Sequence, residues 1–112
     1  MADLMTQAEL VTAIGNTLTQ MDNTLMDPTL INQPAKWQQV YAMRKHLDDQ
    51  QRTLVAATIQ ADDASFQALT VQIQQAIKQL QQVIDNLKKM DSIINTIAQI
   101  SADLDEILKA VS

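Results

Sequence analysis

From Phe66 to Val111 the chain keeps a single heptad register. One seam begins Phe66, Ile73, Leu80 and the other begins Leu69, Ala76, Val83; both stay in phase to Leu108 and Val111. Ala76 and Ser101 are the only seam positions that are not large and apolar, and no Gly or Pro interrupts the run. A 3-4 alternation held for this long demands a helix packed along other helices. It specifies an architecture and leaves the activity open.

The rest of the chain agrees with an all-α fold. With one Gly and two Pro in 112 residues, turns are scarce, and aromatics make up 3% of the sequence. This favours a few long helices over many short strands. The length suits one domain, residues 1–112. Thr6 and Glu9 stand at capping-box spacing, with Met5 and Leu10 at the positions of a hydrophobic staple, so a first helix is expected over about residues 7–26. Its seam is Val11, Ile14, Leu18, Met21 and Leu25, with Gly15 as a weak spot beside it.

Asp27-Pro28 ends that helix and opens a linker over 27–33, with a single turn through Ile31; Pro34 starts a second helix, expected to reach Ala61. Val40, Leu47, Leu54 and Ala61 recur along it, Trp37 and Tyr41 widen its face, and Gln50 stands beside its seam as a polar residue able to set register. Asp62-Asp63 reads as a short turn that makes the second and third helices antiparallel neighbours.

The third helix is expected over about 64–111. Its flanks change halfway: Ile77 and Ile84 widen one side before Asp91, whereas Ile93, Ile100 and Ile107 widen the other side after it. An unbroken helix of this length spans roughly 70 Å. The expected fold is thus an elongated three-helix bundle, or helical hairpin, with a long C-terminal coiled-coil helix. A break near 88–92, where Lys88-Lys89 and Asp91-Ser92 resemble stop and start signals, gives a four-helix bundle instead. The in-phase heptad and the absence of Gly favour the unbroken form.

Charge and chemistry exclude several functions. A net charge of −5 with scattered Lys and Arg argues against nucleic-acid backbones and anionic lipid surfaces. No Cys is present for a disulfide or thiolate, and no apolar run is long enough to span a membrane. The N-terminus lacks the plan of a cleaved signal peptide. The expected location is cytoplasmic, with export by a route needing no cleaved signal left open.

The single histidine, His46, stands near Asp48 and Asp49; a stable metal site needs more ligands, so it reads as a surface residue. Asp103, Asp105 and Glu106 read as a solvated face, and the Gln-rich stretch from Gln67 to Gln82 as a polar outer face able to bind a partner by hydrogen bonds. Trp37 is followed by Gln38-Gln39, so the Trp-x-Gly turn of one family of small secreted helical proteins is absent. No catalytic, cofactor or metal residues are expected.

The expected function is that of a non-enzymatic protein–protein interaction module: an adaptor, a chaperone, or an inhibitory partner of a secreted or toxic protein. A self-assembling structural or secreted component able to engage membranes is the alternative. Ile93, Ile100 and Ile107 have no obligatory neighbour within the chain, so they are the expected surface for a protein partner or a second copy.

Overall fold

The computed structural model describes residues 6–57, 64–84 and 86–111. Among these the regular structure is entirely helical: α1 (Gln7–Leu25), α2 (Pro28–Ile31), α3 (Pro34–Ala56), α4 (Ala64–Val83) and α5 (Met90–Val111), with a 3-10 turn at Leu87–Lys89 before α5. The helices pack in a bundle-like arrangement around one apolar core.

Local chemistry sets the first boundaries. The Thr6 hydroxyl accepts the Glu9 amide at 3.1 Å, and the Glu9 carboxylate accepts the Thr6 amide at 3.2 Å, completing the capping box. Met5, its staple partner, lies outside the described residues. Asp27 Oδ1 accepts the Thr29 amide at 2.9 Å and caps α2, with Pro28 as its first residue.

The helix pair α1–α3 runs antiparallel, and each member closes an end of the other. Gln7 Nε2 donates to the carbonyls of Leu54 and Ala57 at the end of α3, both at 2.7 Å. Trp37 Nε1 donates to the Leu25 carbonyl at the end of α1, at 2.8 Å. The last carbonyls of a helix lack partners further along it, so these side chains supply donors at both ends, with Leu54 O also accepting the Ala57 amide at 3.3 Å. Between the two ends, Gln51 Nε2 donates to the Val11 carbonyl at 3.0 Å, and Arg44 Nε to Asp22 Oδ1 at 2.9 Å. The Asp22 hydrogen bond raises the Arg44 pKa further above its ordinary value, so this pair keeps its cation. Gly15 serves this interface: a Cβ there would stand 3.1 Å from Gln51 Nε2, so the close neighbour is a side-chain amide rather than a second backbone.

The long third helix is not formed. The chain divides after Val83 into α4 and α5, and the longest dimension of the molecule is 45 Å. Asn86 makes the turn with φ −107° and ψ 88°, and its side chain accepts the Lys88 amide at 3.2 Å. Among the described residues none has a positive φ, so this part of the break does not call for Gly. Folding back buries Ile93, Ile97, Ile100, Leu104 and Ile107, each at most 1% exposed. At roughly 1.5–3 kcal/mol per side chain, this outweighs the few helical hydrogen bonds lost, each worth about 1 kcal/mol net.

The expected pairing of the second and third helices also fails. Here α4 packs chiefly on α5, while α3 packs on α1 and, less extensively, on α5; α3 and α4 share no comparable contact among the described residues. The helix α3 stops at Ala56, with Ala57 extended, short of the expected Ala61. The expected turn at 62–63 lies outside the described residues. Lys36 meets Asp91 at 3.2 Å near the start of both helices, and Gln50 meets Ser101 further along, so α3 and α5 run parallel.

Candidate functional site

The sequence placed a partner on Ile93, Ile100 and Ile107. The structure buries all three completely, at 0%, 0% and 1% exposure, as the central stripe of α5. They already have neighbours within the chain, and the premise that this flank is uncovered is corrected. The change of flank near Asp91 coincides with the break between α4 and α5.

Apolar surface is exposed elsewhere. Leu25, Met26, Ile31, Pro34 and Trp37, with Gln38, line an open concavity of about 440 Å³ where α1, α2 and α3 meet. Met26 and Ile31 are 69% and 52% exposed. Trp37 forms one wall. Its indole is fixed by the bond to the Leu25 carbonyl and by stacking on Tyr41, with ring centroids 5.3 Å apart and planes 10° from parallel. Tyr41, expected to widen the buried face of the second helix, is half-exposed and braces the indole instead. Pro28 and Pro34 bound the short α2 and hold Leu30 in the core, which leaves Ile31 on the outside.

On one side of α5, facing α3, lies a complete polar network. Gln50, almost fully buried, donates from Nε2 to the Ser101 carbonyl at 2.9 Å and to Asp105 Oδ1 at 2.7 Å. The Ser101 hydroxyl donates to Gln50 Oε1 at 2.9 Å. The polar exception in the second helix has thus found one of the two exceptions in the long seam. His46 Nε2 stands 3.9 Å from the same Asp105 Oδ1, with both side chains about half exposed. Among the described residues, no group of three or more His, Asp or Glu is gathered as a metal would require. His46 is a surface neighbour of this network.

The opposite side of α5 packs on α4. Asp103, expected on a solvated face, is 5% exposed. Gln99 Nε2 donates to its Oδ1 at 3.0 Å, while Oδ2 is buried and has no hydrogen-bond partner among the described residues. Beside it lies an open surface groove of about 190 Å³ lined by Gln72, Gln75, Ala76, Gln79, Gln99 and Asp103. Ala76, the other seam exception, is the small buried residue of this lining.

The described helices include none long and apolar enough to cross a membrane. Comparison with protein-family models, with curated proteins and with solved structures finds no match.

Proposed function

We propose that this protein is a non-enzymatic interaction module that holds an apolar, basic segment of a partner protein in the concavity formed by α1, α2 and α3. The observation that carries this reading is the exposure of Met26 and Ile31 beside a braced Trp37. Large apolar side chains grouped around a concave surface mark binding sites, whereas scattered ones do not. An indole held by a hydrogen bond and a stacked ring loses little freedom on binding, which favours affinity. The net charge of −5 selects basic partners over acidic ones during encounter. Adaptor, chaperone and inhibitor are the roles that such a module fills. Within it, the four long helices act as a bundle scaffold and α2 as the lip of the groove.

Trp37 is the only tryptophan, so its fluorescence reports this surface directly. A short amphipathic peptide with Leu at helical spacing and Lys elsewhere is expected to shift Trp37 emission to the blue; its Leu-Glu counterpart is not. Ile31→Glu should abolish the shift while leaving the helical circular dichroism unchanged. A dimer in light scattering that dissociates in Ile31→Glu would make a second copy the occupant. No peptide response, with a monomer throughout, overturns the proposal.

A further inference from the structure

We propose that Met26 is a modification site: a hydroperoxide converts its thioether to the sulfoxide, and the sulfoxide closes the apolar concavity to its occupant. This inference rests on the concavity being the binding surface.

Accessibility selects this sulfur. Met26 is 69% exposed, whereas Met21 and Met90 are buried and Met43 is packed against the core. Met1 and Met5 lie outside the described residues. The chain has no Cys, so no thiol within it competes for the oxidant. The reaction transfers one peroxide oxygen to sulfur. The O–O bond breaks, an S–O bond forms, sulfur gives up two electrons, and the hydroperoxide leaves as its alcohol, or as water from hydrogen peroxide.

The consequences for the fold and for the surface differ. Met26 closes α1 with its backbone, its amide donating to the Asp22 and Asn23 carbonyls, both at 3.2 Å, while its side chain stays outside the core. A sulfoxide at Met21 or Met90 would put a polar group into the core; at Met26 it stands in water, and the helices keep their packing. In the concavity the same change acts directly, because Met26 shares the lining with Leu25, Ile31, Pro34 and Trp37. The Trp37 indole N–H already donates to the Leu25 carbonyl at 2.8 Å and is not free for a new acceptor. The sulfoxide oxygen is therefore satisfied by water, which an apolar occupant has to strip away. A sulfoxide reductase supplied with thiols reverses the change: two thiols give up two electrons as they form a disulfide, and the oxygen leaves as water.

The test treats the full chain with hydrogen peroxide, locates the added oxygen by peptide mass mapping, and titrates the Leu-Lys peptide into treated and untreated protein while reading Trp37 emission. Met26 should gain oxygen about tenfold faster than Met21, Met43 or Met90. Protein oxidised at Met26 should keep its helical circular dichroism and bind the peptide about tenfold more weakly. Sulfoxide reductase with dithiothreitol should restore the affinity, which damage to the indole would not allow. In Met26→Leu the affinity is compared before and after peroxide within that chain, and the treatment should leave it where it was. Faster oxidation of Met21, Met43 or Met90 overturns the proposal, as does loss of the helical signal when Met26 is oxidised. So does a loss of affinity that Met26→Leu fails to prevent, or a peptide response that survives oxidation of Met26. Each of these leaves the concavity standing as the binding surface. No peptide response from the untreated chain overturns that reading itself, and the switch with it.

Discussion

The two sides of α5 bury polar groups in different ways. Toward α3, Gln50, Ser101 and Asp105 exchange three hydrogen bonds, and every buried donor of the group has an acceptor. Toward α4, Asp103 has one bonded oxygen and one with no partner among the described residues. Both are departures from an apolar seam. The first is closed, and it fixes the register of two parallel helices, since a slip by one residue would separate Gln50 from Ser101. The second leaves one buried carboxylate oxygen without a partner among the described residues. A buried polar group therefore cannot be interpreted from its burial alone; the partner count separates a closed network from an unsatisfied acceptor.

The sharpest way to break this comparison is to remove the core that makes both sides buried. Ile100, fully buried beside Ser101, changed to Asp adds an unpaired charge to α5 that neither neighbour can satisfy. The expected loss is several kcal/mol, enough to abolish a cooperative melt by circular dichroism. A wild-type melt would show that this face is not covered in solution.

A paired substitution tests the comparison itself. Gln50→Ala strands Ser101 and Asp105 and should cost about 1–3 kcal/mol in urea denaturation, whereas Gln50→Leu combined with Ser101→Ala removes the network as a unit and should recover most of that loss. Asp103→Asn should act in the opposite direction, leaving stability unchanged or raising it by about 1 kcal/mol, because it removes an incompletely compensated charge. If Asp103→Asn destabilises as Gln50→Ala does, both sides are closed and the contrast is lost.

The smallest effect is expected at His46. Its imidazole lies 3.9 Å from Asp105 with both groups about half exposed, so His46→Ala should change stability by less than about 0.5 kcal/mol. Because His46 and Gln50 both approach Asp105 Oδ1, a double-mutant cycle tests their coupling, which is expected to stay below about 0.5 kcal/mol. A larger His46 effect, or non-additivity, would extend the closed network to the protein surface.

Much of this was legible in the residues. The capping box at Thr6, the Asp27-Pro28 start and Pro34 act through contacts within a few positions, and the structure places the helix starts there. The odd residues in otherwise apolar seams were also visible: Gln50, Ala76 and Ser101 are the positions around which the polar features of α5 are built. The concavity at Trp37 was not found, because Trp37 and Tyr41 at helical spacing read equally well as core. Asp103 was missed because an acid near a helix end is ordinarily solvated, and nothing local shows that a glutamine-rich helix covers it.

The sequence by itself determined the helical class, the short-range caps and the lining-up of apolar residues on one face of each helix, since all of these depend on spacings of three, four or seven positions. Only the tertiary structure decided that the heptad run folds back on itself at Asn86. A register that continues in phase is equally compatible with one long helix and with two antiparallel ones, and the choice rests on how much apolar surface a single chain can cover. That choice moved Ile93, Ile100 and Ile107 from a free surface to the core. It also set α3 beside α5 and brought Asp103 under the glutamines of α4, because those contacts join residues far apart in the chain that no local pattern connects.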